Sequence, residues 1–245
     1  KSPMIMNEKK ALEQVDWING LKATRMAIEG AVQKLGADQV GIFVSPSATV
    51  EEQFLTKQLA DQLGIKKIDS RFRQVDFSSD SVEPAFRSLG VAIKDVKSLD
   101  SIFLVGADPR MEVPVLAIDI RTATKNGAKV ALLNTYDTDQ LHPTEAVIAA
   151  PNQWVNVLAN VLAAVSQKMQ KTVAPELASI VEKANSDARS IEIANMLGND
   201  NKQWIVLGKD AVSNPDFSVI RALCQNIAEI SNGAFGYIAE GANMS

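Results

Sequence analysis

Short apolar runs alternate along this chain with longer stretches of helical periodicity. Val40 to Val44, Ile65 to Ile68, Ile102 to Val105, Lys129 to Leu133, Ala146 to Ala149, Trp204 to Leu207 and Phe235 to Ala239 have strand length. Several are apolar throughout, with no alternation of polar residues, as expected of parallel strands buried on both faces. Between them, residues 18–35 read as a helix that Gly36 stops. Thr49-Val50-Glu51-Glu52 has the spacing of a capping box, and Val50, Phe54, Leu55, Leu59 and Leu63 keep helical spacing as far as Gly64. Ser98 to Gly127 is the clearest unit. A strand runs into the Gly106-Ala107-Asp108-Pro109 turn, followed by a helix over 112–126 with Val113, Leu116, Ile120 and Ala123 on one face. Pro114 sits where helix starts tolerate it, and Gly127 marks the stop.

Further along, Ser78 to Ser81 marks a loop and Pro84 to Leu89 a short helix. Trp154 to Val165 reads as an apolar helix, Gln167 to Pro175 as a connector, and 176–184 and 187–197 as two more helices. Gly198 to Asn201 is a turn, and a helix over 215–230 repeats the strand–loop–helix order. Strands and helices in alternation with short links predict an α/β fold with parallel, right-handed crossovers. The expected architecture is a three-layer αβα Rossmann-like parallel sheet with a second, partial αβ lobe. Residues 1–36 form an extended segment and helix, 37–170 the first lobe, and 171–245 connector helices and the partial second lobe. Loops at the carboxyl ends of such strands are where these folds bind ligands.

Composition narrows the function. The chain has 245 residues, 46% of them apolar and 22% charged, with a net charge of −4. Scattered charge signs and few aromatic residues give no nucleic-acid footprint. No apolar run reaches membrane-spanning length. Cys224 is the single cysteine and His142 the single histidine, so this stretch alone supplies neither a cysteine-ligated cluster nor a multi-histidine metal site. Lys1-Ser2-Pro3-Met4 lacks a signal-peptide pattern, and both ends read as cuts through a longer protein.

Two segments carry a resemblance: SPSATVEEQFLTKQLADQLGIKKIDSR and SLDSIFLVGADPRMEVPVLAIDIRTATKNGAKV. Together they resemble the molybdopterin oxidoreductase superfamily. Within it the chain is most similar to the large iron–sulfur subunit of bacterial NADH–quinone oxidoreductase, respiratory complex I. The opening KSPMI and VDW, and the tail Ile238 to Asn243, are similar to matching parts of that subunit. The resemblance implies a parent whose cysteine-ligated iron–sulfur clusters lie in amino-terminal domains missing here and pass electrons from NADH toward quinone. It implies partners in the other subunits of the peripheral arm, at the cytoplasmic face of the bacterial inner membrane, without membrane insertion.

In active relatives, the resemblance further implies, the Gly106–Pro109 loop and its neighbours hold a pterin guanine dinucleotide. A vestigial crevice here would be lined by Ser45, Gly106, Asp108, Asn134 and Asn152. Where relatives carry an acidic residue and an arginine, this chain has Leu133 to Thr138 with Asn134. A relative's Gly-Thr-Asp turn is replaced by Ala150-Pro151-Asn152-Gln153-Trp154, in which proline removes an amide donor. The expectation is a lobe that keeps its fold, has no catalytic residues and no metal site, and has lost the molybdopterin. Two rivals remain: a fragment of an active formate dehydrogenase-like enzyme, and a nucleotide-binding middle domain of a thiamine-diphosphate enzyme. The simpler roles expected of the other residues are an N-cap for Thr49, a solvated loop for His142, a buried inert thiol for Cys224, ion pairing of Arg110 and Glu112 with each other or with a neighbouring subunit, and core packing for Trp17, Trp154 and Trp204.

Overall fold

A computed structural model describes residues 2–8, 10–71, 75–84, 87–197 and 202–238. The chain divides into two compact units, residues 1–72 and 73–245. The first unit contains a hairpin of β1 (Met4–Met6) and β2 (Leu12–Gln14), then α1 (Trp17–Leu35), β3 (Gly41–Phe43), α2 (Val50–Leu63) and β4 (Lys67–Asp69). β1 and β2 pair antiparallel, whereas β3 and β4 pair in parallel. The helix boundaries follow from local chemistry. Asp16 caps α1 through the Asn19 amide, and Gly36 ends it at φ 91°. Thr49 and Glu52 form both bonds of the capping box, and Gly64 closes α2 in the left-handed conformation.

The second unit is built on β5 (Ser101–Val105), α3 (Pro109–Glu112), α4 (Pro114–Lys125), β6 (Lys129–Asn134) and β7 (Glu145–Ile148). It continues through α5 (Trp154–Met169), α6 (Ala178–Val181), α7 (Ala188–Leu197), β8 (Gln203–Leu207), α8 (Lys209–Val212), α9 (Phe217–Ser231) and β9 (Ala234–Tyr237). Its five strands are all parallel, in the order β7-β6-β5-β8-β9. Every residue of β5 and β8 is buried, as the apolar runs Ile102–Val105 and Trp204–Leu207 require. Phe103, Val105, Ile205 and Leu207 pack with α5, α7 and α9 on one face of the sheet. Ile102, Leu104, Trp204 and Val206 pack with Leu116, Ile120 and Ala123 of α4 on the other. The α/β, three-layer expectation holds. The strand–loop–helix repeat of the last third completes this same sheet, because β8 pairs directly with β5.

Several local expectations change. The Val40–Val44 strand is not buried on both faces: β3 has Gly41 and Phe43 exposed, and among the described residues it pairs with β4. The helix over 112–126 is divided at Val113, which is non-helical (φ −142°, ψ 67°) because a residue before proline is disfavoured from helix. The 176–184 helix shrinks to the single turn of α6. Of the helix read at Pro84–Leu89, the described residues 84 and 87–89 are irregular, and 85 and 86 lie outside the described residues. The Gly198–Asn201 turn, Ala239 and the tail beyond it also lie outside them. Trp154 and Trp204 are core residues, but Trp17 is 65% exposed on α1.

Candidate functional site

The strand order locates the crevice. From β5 the chain steps outward to β6 and β7, then returns to lay β8 on the other side of β5 and β9 beyond it. The topological switch point therefore lies between the carboxyl ends of β5 and β8, where an open parallel sheet leaves room for a ligand. Two glycines stand there, Gly106 after β5 and Gly208 after β8. Gly106 adopts φ +60°, which only glycine takes without strain. A β-carbon on it would strike the Ala211 amide and lie 2.8 Å from the Trp154 ring. A β-carbon on Gly208 would strike Ala107 and the Gly106 carbonyl. Both glycines thus serve the approach of one loop to the other. The Asp210 amide donates to the Gly106 carbonyl at 2.9 Å, and the Gly208 amide donates to Val105 at 2.9 Å.

The amides a phosphate would use are also engaged. The Asp108 amide donates to Glu112 Oε1 at 2.7 Å, and the Lys209 amide reaches the same carboxylate. Burial raises the Glu112 pKa above the ordinary carboxylate value, and the Asp210 charge adds to the rise, while those two amides and Lys209 oppose it. Asp108 is buried and its Oδ1 accepts from Gln140 Nε2 at 3.2 Å. Burial raises the Tyr136 pKa, and the nearby charges of Asp210, Asp108 and Glu112 add to the rise. Three acidic side chains thus gather at the rim. Of the two pairings expected for Arg110 and Glu112, the one with each other does not form: Arg110 donates to the Asp139 carbonyl at 2.8 Å and lies 3.5 Å from the Asp139 carboxylate.

Of the five residues read as a crevice, Gly106, Asp108 and Asn134 come together at the ends of the adjacent strands β5 and β6. Asn134 is completely buried. Its Oδ1 accepts from the Thr135 amide at 2.8 Å, and its Nδ2 has no hydrogen-bond partner. Asn152 is exposed in the single turn Pro151–Gln153 after β7, and that turn is fastened where Asn214 Nδ2 donates to the Pro151 carbonyl at 3.1 Å. Ser45 lies in the first unit at the carboxyl end of β3, its Oγ accepting from the Ser47 amide at 3.2 Å in a tight polar turn.

A single family model, described as molybdopterin oxidoreductase, matches residues 1–243. The chain belongs to the molybdopterin oxidoreductase family. It is similar to the NADPH-Fe(3+) oxidoreductase subunit alpha of two strains of Geobacter sulfurreducens, at 28% identity over 135 residues. That match covers 53% of this chain and 15% of each relative. Among solved structures, acetylene hydratase from Pelobacter acetylenicus shares the fold at a TM-score of 0.62 and 13% identity, over 92% of this chain and 34% of that one. The formyltransferase/hydrolase complex FhcABCD from Methylorubrum extorquens matches at a TM-score of 0.54 and 16% identity, over 87% and 56%.

Against that family background, the residues that pattern reading did not place at the crevice are Glu112, Gly208, Asp210, Tyr136 and Gln140. Gly208 carried a usable signal, since it follows β8 as Gly106 follows β5. The others act through backbone amides and long-range packing, which no spacing rule encodes. His142 is partly exposed in its loop beside Thr144, and Cys224 is buried with its pKa raised by burial. Among the described residues no group of three or more His, Cys, Asp or Glu is placed to hold a metal ion, and no helix is long and apolar enough to cross a membrane.

Proposed function

We propose that this chain is a scaffold domain of a larger electron-transferring oxidoreductase subunit and that it binds no pterin dinucleotide. The observation that carries the reading is the state of the switch-point crevice. Its glycines are filled by the opposite loop, and its free amides are taken by Glu112. A pyrophosphate entering there would meet Asp108, Glu112 and Asp210, and would lose to a carboxylate already in place. The residues present do not fit the phosphates of the family's cofactor, so no catalytic step is routed through it.

The parent we favour is the large iron–sulfur subunit of a respiratory NADH–quinone oxidoreductase. Its clusters would lie in amino-terminal domains of the same polypeptide, and its partners in the peripheral arm at the cytoplasmic face of the bacterial inner membrane. The segments that resemble that subunit, Ser45 to Arg71 and Ser98 to Val130, support this choice. Similarity to the NADPH-Fe(3+) oxidoreductase subunit alpha favours a second reading, in which the parent oxidises a nicotinamide cofactor but passes electrons to a different acceptor. Both share the scaffold role. The test is metal and pterin analysis of the purified full-length subunit. Iron without stoichiometric molybdenum, tungsten or pterin is expected; one pterin per subunit would refute the proposal. Electron transfer from NADH to a quinone, measured on the assembled complex, separates the two parents.

A further inference from the structure

One connection in the five-stranded sheet is unlike the rest. α3 and α4 join β5 to β6, α5 to α7 lead from β7 to β8, and α8 and α9 join β8 to β9. Residues 135–144, which join β6 to β7, contain no helix. Parallel strands need a crossover from the end of one to the start of the next, usually about a dozen residues or more with a helix among them. Here bare chain makes the crossing. Gln140 is still at the carboxyl rim, against Asp108. Pro143 and Thr144 already line a cavity with Lys129 and Val130 at the start of β6. Between them, Leu141 turns the corner at φ +58°.

The closed position of this segment carries two costs. Leucine in the left-handed region is sterically disfavoured, and its side chain has no polar atom to recover the loss locally. Leu141 is also half exposed, so packing does not compensate. At the foot of the segment, Asn134 is completely buried with Nδ2 lacking an acceptor, a state penalised relative to contact with water. Two pins oppose these costs. Gln140 is buried and its Nε2 donates to Asp108 Oδ1 at 3.2 Å and to Thr138 Oγ1. Arg110 donates to the Asp139 carbonyl at 2.8 Å, with the Asp139 carboxylate 3.5 Å away. Arg110 and Asp139 are both exposed, so solvent weakens their pairing, and the buried bond onto the Asp108 carboxylate is the stronger pin.

We infer that residues 135–142 are a releasable strap over the switch-point rim, held shut by Gln140 and Arg110 and able to open while the sheet stays folded. Opening relieves Leu141 and gives Asn134 Nδ2 to water; closing regains the Gln140–Asp108 bond. Opposed contributions of this kind make a two-state element, and outlying backbone conformations gather at such switches. The Gly106–Gly208 closure is different in kind. It is made backbone against backbone, so it opens only if β5 parts from β8. The rim therefore has one permanent closure and one gate, and the gate sets when solvent and small solutes reach Asp108 and Asn134.

The inference is independent of the scaffold reading, which fails on a pterin assay, whereas this one fails on exchange rates. Amide hydrogen exchange is followed by mass spectrometry on the full-length subunit in native buffer. The Thr135 and Leu141 amides donate to the Asn134 and Asp139 side chains, so they report the closed strap. In the parent, residues 135–142 should exchange more slowly than exposed loops but faster than β5 and β6, by local opening. Gln140→Ala should speed the strap about tenfold and leave residues 129–133 unchanged. Leu141→Asn, which tolerates the left-handed region without glycine's added freedom, should slow it about threefold. Exchange of the parent strap at loop rates would overturn the inference. So would a Gln140→Ala variant with unchanged strap exchange or with β6 accelerated equally, or a Leu141→Asn strap no slower than the parent's.

Discussion

Glu112 offers the sharpest test of how the crevice is closed. Replacing it with alanine leaves the Asp108 amide without the acceptor it reaches at 2.7 Å, and the Lys209 amide without the same carboxylate. A hydrogen bond to a charged group contributes about 1.5–3 kcal/mol, and an orphaned buried donor costs about 1–3 kcal/mol. Against this, alanine relieves the burial of a charge and its repulsion from Asp210. A net loss of about 1–2 kcal/mol is expected at neutral pH. For a chain of this size that lowers the melting temperature by about 2–4 °C per kcal/mol. Glu112→Gln retains an acceptor oxygen and removes the charge, so it should stay within about 0.5 kcal/mol of the parent. The pH dependence gives a second readout. Because the folded pKa of Glu112 is raised, its contribution to stability is fully present below the unfolded carboxylate value. It is lost as pH rises through the folded value. The stability difference between parent and Glu112→Gln should therefore move in favour of glutamine across that window. Thermal and urea unfolding over a pH series measure both effects. A Glu112→Ala variant as stable as its parent, or a difference moving the other way with pH, would refute the account.

Three further outcomes follow from the same structure. Gly106→Ala forces a β-carbon toward the Ala211 amide and the Trp154 ring at φ +60°, so it should cost more than about 2 kcal/mol from strain and overpacking, read as a melting-temperature loss. Asp76 accepts from the Ser218 amide at 2.8 Å near the start of α9 and from the Ser78 amide at 2.9 Å. Hydrogen bonds from Ser218 and Ser78 hold its pKa well below the carboxylate range. Its stabilisation is therefore present above the unfolded value and lost as pH falls toward the folded one. Asp76→Ala should cost about 0.5–2 kcal/mol at neutral pH, and the acid limb of its stability profile should be shallower than the parent's. Cys224 is fully buried with its pKa raised, so iodoacetamide should label it only at the rate of unfolding; fast labelling in the native protein would contradict its place in the core.

Much of the fold was legible because the signals are local. The uninterrupted apolar runs of β5, β6 and β8, the Thr49–Glu52 cap and the stops at Gly36 and Gly64 are written within a few residues of where they act. Gly106, Asp108 and Asn134 were legible as strand-end residues for the same reason. Strand order was not, since nothing in Trp204 to Leu207 says that it will pair with β5 rather than begin another lobe. Nor could spacing reveal that Glu112 bonds the Asp108 amide, or that Arg110 reaches Asp139 instead.

By itself, then, the sequence determined the element types, their caps and the apolar faces that make a parallel α/β sheet, because periodicity and turn chemistry act over a few residues. Tertiary structure alone decided that β8 returns beside β5, bringing Gly208 against Ala107 and Glu112 onto the amides at the rim. Closure of that crevice is a matter of two loops about 100 residues apart meeting at van der Waals distance, and close packing of that kind has no local code.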